Sequence, residues 1–194
     1  MFTGIIEATS NILQIKASGG TQLITIKRPD SFGDLVLGCS IACDGICLTA
    51  VALEDTSFTV QVMNETLEKT NAGQWTLGRF LNLERALKLG DRLDGHWVMG
   101  HIDRKAKFLR REIQSDTTYF HIERHPQDHG LLIPQGSIAV SGISLTIASL
   151  NSRDFSVALI RHTLENTNLE KLRTGDMVNL EYDALGKYVR ELSK

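Results

Sequence analysis

No apolar run in this 194-residue chain approaches the roughly eighteen residues needed to span a bilayer. Nor does its start, MFTGIIEATSNILQI, set basic residues before the apolar ones as a secretory leader would, so no membrane partner is expected and the cytoplasm is the expected location. An excess of one sign of charge is lacking as well. A formal net charge of -2 and a pI near 6.3 leave no electrostatic footprint for nucleic acid. The chain also lacks a GxxxxGKS/T phosphate loop, a GxGxxG turn after a strand, an HExxH pair and a GxSxG elbow, which removes the usual nucleotide, metalloprotease and hydrolase readings. Cysteine is limited to Cys39, Cys43 and Cys47. Their surroundings, GCSIACDGICLTAV, favour strands, and in an extended chain residues four apart lie about 13 Å from one another. That is too far for a disulfide or a shared zinc, so free thiols and no metal are expected.

What the chain does contain is a second copy of itself. Displaced by 97 residues, it matches at Pro29/Pro126, Gly33/Gly130, Ser40/Ser137, Ile41/Ile138, Ala42/Ala139, Gly45/Gly142, Leu48/Leu145, Thr49/Thr146, Thr66/Thr163, Asn71/Asn168, Asn82/Asn179 and Glu84/Glu181, among others. More than twenty identical pairs fall within the 56 positions from Pro29 to Glu84, where unrelated stretches share about one position in sixteen. Two modules are therefore expected, residues 1–97 and 98–183, followed by a short helix over 184–194. Read without a gap, the repeat sets Gly4 opposite His101.

Period-two alternation recurs within each module, as in Phe58, Val60 and Val62, and turn signals such as Gly19-Gly20, Asp44-Gly45 and Leu77-Gly78 separate the runs. This is the pattern of half-buried antiparallel strands. The spacing allows roughly six strands per module, and so small a sheet loses its exposed edges best by closing into a barrel. Short helical pieces are expected after Pro29 and Pro126, and from Thr66 and Thr163, where threonine would act as a cap. Near the end, Leu185, Tyr188, Val189 and Leu192 form an apolar stripe at helical spacing, expected to pack on a barrel or on another subunit.

The block S-I-A-x-x-G-I-x-L-T occurs at Ser40–Thr49 and at Ser137–Thr146. Cys47 and Ser144 hold equivalent places, each two residues before a threonine and hence on the same side of a strand as it. Two related but unequal polar pockets follow. His101 breaks the repeat symmetry and is a candidate for proton transfer, whereas His96 is read as structural. His121, His125 and His129 are read as solvated surface, and Arg104, Lys105, Lys107, Arg110 and Arg111 as a strand's wet face.

The elements MFTGIIE, SIACDGICLTA, VMNETLEKTN, NLERAL, GHWVMGHID, GSIAVSGISLTI, HTLENTN and VNLEYDALGKY run through the whole chain in order. With them the sequence closely resembles the riboflavin synthase family. The resemblance implies an all-β fold of two similar six-stranded Greek-key β-barrels plus a short C-terminal helix, a homotrimer with sites between barrels of neighbouring subunits, and 6,7-dimethyl-8-ribityllumazine and riboflavin as ligands. It implies a transferase that dismutes two lumazines by four-carbon transfer and needs no cofactor; a non-catalytic lumazine- or flavin-binding protein is the alternative. Carried over by position, the N-terminal pocket would use Gly4, Ile5, Ile6, Ser40, Cys47, Leu48, Thr49, Gln61, Val62, Met63, Asn64, Glu65 and Thr66, with Gly100, His101 and Ile102 beside it. The C-terminal pocket would use Gln135, Ser144, Leu145, Thr146, Ala158, Leu159, Ile160, Arg161, His162, Thr163 and Asp183. His101, Ser144, Cys47, Ser40 and Asp183 are the catalytic candidates. Gln135 stands where the family usually has lysine, Ser141 where it usually has aspartate and Asp44 where asparagine is common; the first two departures suggest a charge pair lost from the C-terminal pocket.

Overall fold

A computed structural model describes residues 1–193. The chain is all-β, with two closed antiparallel barrels and a short terminal helix. The N-terminal barrel comprises β1 (Ala8–Ser18), β2 (Thr21–Lys27), β3 (Ser40–Cys43), β4 (Ile46–Leu53), β5 (Ser57–Met63) and β6 (Phe80–Arg85). Around the barrel they run β1-β2-β5-β4-β3-β6, so the chain leaves β2 and crosses past two strand positions before β3, a Greek-key connection. The C-terminal barrel repeats this with β7 (Arg104–Gln114), β8 (Thr117–Glu123), β9 (Ser137–Val140), β10 (Ile143–Leu150), β11 (Asp154–Leu159) and β12 (Met177–Tyr182). Side chains that alternate in sequence alternate in burial: Phe58, Val60 and Val62 lie in the first core, while Gln61 and Met63 face out.

Helices α1 (Asn64–Lys69) and α2 (Arg161–Asn166) follow β5 and β11, and α3 (Ala184–Leu192) ends the described chain. Thr66 and Thr163 lie inside α1 and α2 and do not cap them. The capping threonines are Thr70 and Thr167, whose hydroxyls accept from the amides of Ala72 and Leu169 at the start of the next 3₁₀ turns. Backbone groups at a helix start need such an acceptor wherever the side chain can reach, and threonine there is bonding locally.

The repeat is not gapless. β1 and β7 begin 96 residues apart and β2 and β8 likewise, whereas β3 and β9 begin 97 apart. The extra residue falls after the 3₁₀ turns that follow β2 and β8, Asp30–Phe32 and Pro126–Asp128: Leu35 N–H donates to Phe32 O, but Leu132 N–H reaches back four residues to Asp128 O. Gly4 therefore corresponds to Gly100, and His101 to Ile5. The symmetry-breaking partner of His101 is an isoleucine and not a glycine.

The barrels meet tip to tip along their β3–β4 and β9–β10 hairpins. A Cβ on Gly45 would lie 2.6 Å from the amide nitrogen of Gly142, and one on Gly142 2.7 Å from that of Gly45; both have φ near +80°, so only glycine fits. Four asparagines cross-brace this seam. Asn71 and Asn168 donate their amides to the side chains of Asn179 and Asn82 in the opposite barrel, at 2.7 and 2.8 Å. Fully buried Asp44 accepts from Asn82 N–H at 2.9 Å and from Asn168 Nδ2 at 2.8 Å, with Arg79 at 3.7 Å. Burial pushes the Asp44 carboxyl above the usual range, an effect the Arg79 charge and these hydrogen bonds oppose.

Two other surface readings are corrected. His121 is buried, with Arg110 and Asp154 at its Nδ1 and Glu112 at its Nε2; His125 and His129 are exposed. Arg104 is also not on a wet face, because its guanidinium turns in to Asp128 and the Glu123 carbonyl.

Candidate functional site

The segments that open each module are exchanged between the barrels. Phe2 and Val98 pair backbone to backbone at 2.7 and 3.2 Å. Beyond that crossing, Ile6 packs on the core of the C-terminal barrel and Ile102 enters the core of the N-terminal one. Ser144 N–H donates to Gly4 O at 2.8 Å and Cys47 N–H to Gly100 O at 2.9 Å. These contacts are close: a Cβ on Gly4 would lie 2.6 Å from Ser144 Cβ, and one on Gly100 2.5 Å from Cys47 Cβ. Gly4 and Ile6 thus belong with the C-terminal barrel, not with the N-terminal pocket where the sequence reading put them, while exposed Ile5 between them lines a separate cleft with Glu84, Arg85 and Asp91. Sequence proximity misleads here because the chain crosses before the first strand begins.

On the N-terminal barrel, Cys47, Glu65, Thr66, Gly100, His101 and Ile102 line a cleft of about 260 Å³ together with Ile46, Lys69 and Thr70. Cys47 and Thr49 face outward from β4 while Leu48 turns into the core, and Ser40 pairs with Thr49 across the hairpin. Leu48, Val62 and, in the second barrel, Leu159 are core side chains, able to offer a ligand only their backbone. Gln61, Met63 and Asn64 are exposed on the rim. A larger cavity, about 530 Å³ beside Arg79, Phe80, Lys171 and Arg173, contains none of the predicted site residues.

On the C-terminal barrel, Ser144, Leu145 and Thr146 occupy β10 where Cys47, Leu48 and Thr49 occupy β4. Ala158 near the end of β11 and Ile160, Arg161 and His162 around the start of α2 are exposed, with Thr163 half-buried. The residue the sequence reading missed is His96: its Nδ1 lies 2.7 Å from Ser144 Oγ. His96 is buried and its Nε2 finds no hydrogen-bond partner among the described residues. Burial holds its imidazole below the usual pKa, and the Asp183 carboxylate pulls in the opposite direction. A neutral imidazole against a hydroxyl is the arrangement that activates an oxygen nucleophile or relays its proton. Asp183 itself caps α3, accepting from Leu185 N–H at 2.9 Å. The 48-residue separation of His96 and Ser144 hides the pair from any reading of local motifs.

Gln135 and Ser141 do not form the vestige of a pair. Gln135 is exposed in the turn before β9, and Ser141 is buried in the seam at the strand's other end. Roughly 15–20 Å of extended chain separates them. The three cysteines are free, and no cluster of metal-ligating side chains occurs among the described residues.

Two barrels that exchange their opening segments, each with a polar strand and one with a cleft beside it, define a class of small-ligand protein: the model of the lumazine binding domain matches residues 3–86 and again 99–183. Curated relatives cover almost the whole chain. A riboflavin synthase of Bacillus subtilis is 41% identical over 97% of this chain and 88% of its own length, and one of Brucella abortus 40% identical over 100% and 98%. The chain belongs to the riboflavin synthase family and is an enzyme. Its fold is also that of LumP, solved with 6,7-dimethyl-8-(1'-D-ribityl) lumazine and with riboflavin, at TM-scores of 0.84 and 0.86, with 21% and 22% identity over 94% of this chain and 99% of the other.

Proposed function

We propose that the enzyme dismutes two molecules of 6,7-dimethyl-8-ribityllumazine, one giving a four-carbon unit to the other, to form riboflavin and 5-amino-6-ribitylamino-pyrimidinedione. The observation that carries this reading is the pair of related but unequal sites: a thiol and His101 in one barrel, a Ser144–His96 pair in the other. Two identical substrates that end as different products need such a difference. The two products together contain every atom of the two substrates, so the reaction calls for no external oxidant or reductant.

The lumazine ring itself acidifies its 7-methyl group, and holding two rings in a reactive pose supplies much of the rate. His101 would move a proton at the N-terminal site, while Ser144, kept basic by neutral His96, would serve the other. Cys47, Ser40, Thr49 and Thr146 supply hydrogen bonds along the strands, and Gln135, the exposed turn residue, one at the rim. Glu65 and Thr66 line the first cleft. Its volume of about 260 Å³ is below the roughly 300–1,000 Å³ typical of small-molecule sites, which fits a site completed by the facing barrel of a neighbouring subunit. Exposed Leu185, Tyr188, Val189 and Leu192 on α3 suit a homotrimer contact.

The test is to incubate purified protein with 6,7-dimethyl-8-ribityllumazine, without added cofactor, and follow riboflavin absorbance. Riboflavin should accumulate with one pyrimidinedione per turnover. Tight binding with no product would overturn the reading in favour of a lumazine carrier.

A further inference from the structure

Glu181 lies on β12 of the C-terminal barrel, yet its carboxylate acts on the other barrel's cleft. Its Oε1 accepts from Met99 N–H at 2.7 Å and its Oε2 from Gly100 N–H at 2.9 Å. Those two amides begin the segment whose Gly100 carbonyl takes the Cys47 N–H and whose next residues, His101 and Ile102, wall the cleft. Only 2% of Glu181 is exposed. A buried carboxylate receiving two backbone donors forms charge-assisted bonds, which are among the strongest a loop can have.

We propose that Glu181 is a positioning residue for the N-terminal cleft, fixing from the opposite barrel the place at which His101 and Gly100 meet Cys47. Glu84 is its counterpart. Its carboxylate accepts from Thr3 N–H at 2.6 Å, Thr3 Oγ1 at 2.7 Å and Gly4 N–H at 3.0 Å, and so holds the segment that meets Ser144. The two clamps are separately wired. Glu181 faces Lys187 of α3 and Asp103, which are themselves paired at 2.6 Å, while Glu84 faces Glu7. Each pocket is therefore organised by a carboxylate from the barrel opposite, and the helix that ends the chain reaches only one of the two clamps.

This inference rests on the cleft being a ligand site, and the experiment separates the two ideas. Riboflavin is titrated against the full chain while alkylation of Cys47 by iodoacetamide is followed by peptide-resolved mass spectrometry. In the unmutated protein riboflavin should shield Cys47; failure to shield would remove the cleft as a ligand site and the proposal with it. Given shielding, Glu181→Gln should raise the half-shielding concentration about tenfold, the scale of one lost charge-assisted hydrogen bond. Glu84→Gln should leave it within about twofold while weakening riboflavin binding at the second site, and Glu181→Asp should recover part of the loss. Unchanged shielding in Glu181→Gln, or equal loss in both glutamine variants, would overturn the assignment. Should Glu181→Gln not fold, amide exchange in the unmutated protein decides: Met99 and Gly100 must be protected, and rapid exchange at both would refute the clamp.

Discussion

His96 Nδ1 stands 2.7 Å from Ser144 Oγ, buried, with its other ring nitrogen unpartnered among the described residues. Positioned proton transfer is worth about 10²–10⁴-fold, so Ser144→Ala and His96→Ala are each expected to slow riboflavin formation about a hundredfold or more. The double variant should be little worse than either single one, since the two act as a unit. Burial lowers the His96 pKa, so the imidazole stays an acceptor to more acid pH than an ordinary histidine. The Asp183 carboxylate opposes that lowering, so in Asp183→Asn the acid limb of the kcat profile should move to still lower pH; additive losses in the double variant would sever the pair.

Asp44 occupies the left-handed turn position that Ser141 holds in the second module. Asp44→Ala strands the amide of Asn82, the side chain of Asn168 and the charge of Arg79, and should cost about 2–4 kcal/mol in urea unfolding. Asp44→Asn keeps an acceptor for Asn82 and Asn168 and leaves Arg79, which is partly exposed, to solvent. Its cost should stay below about 1 kcal/mol.

Gly45 and Gly142 touch where the barrels meet. Gly45→Ala places a Cβ 2.6 Å from backbone at φ +80° and should destabilise by about 2–4 kcal/mol. Gly33→Ala, with negative φ and open space around it, should fall within about 0.5 kcal/mol of the parent. Comparable Tm losses for both would contradict the seam as described.

Burial raises the Glu181 carboxyl to about 6, above its ordinary value of 4.5. The folded state then binds a proton more readily than the unfolded one, so this group's stabilising contribution is complete below pH 4.5 and is lost as pH rises through about 6. The full swing is about 2 kcal/mol. Glu84 and Asp44 shift in the same direction for the same reason, desolvation. In Glu181→Gln the dependence of Tm on pH between these limits should flatten, whereas an unchanged slope would assign it to the other carboxyls.

The stripe Leu185, Tyr188, Val189 and Leu192 leaves α3 with its apolar side chains mostly exposed. If that face joins subunits, Tyr188→Asp combined with Leu192→Asp should reduce the mass seen by light scattering to that of one chain while leaving the far-ultraviolet spectrum intact. Unchanged mass would mean that this face joins no subunits.

Much of the fold was legible because strands are written locally: Phe58, Val60 and Val62 alternate with polar neighbours, and the pattern alone assigns their face. The pairing of Cys47 with Ser144 as equivalent strand positions was legible for the same reason. The one-residue offset between the modules was not, since identical residues at Pro29/Pro126 mask an insertion that only hydrogen bonding at Leu35 and Leu132 reveals. Buried His121 and Arg104 looked like surface because paired polar residues carry no apolar signal.

The sequence by itself determined that there are two related modules of alternating strands, and for runs such as Phe58, Val60 and Val62 which side faces in. Tertiary structure decided which barrel each opening segment serves, that His96 meets Ser144, and that Glu84 and Glu181 clamp across the seam. The reason is physical. Periodicity records how each residue sits relative to its neighbours in the chain, whereas an exchanged segment is set by burying Ile6 and Ile102 in the opposite cores and by carboxylates about eighty residues away satisfying their backbone amides.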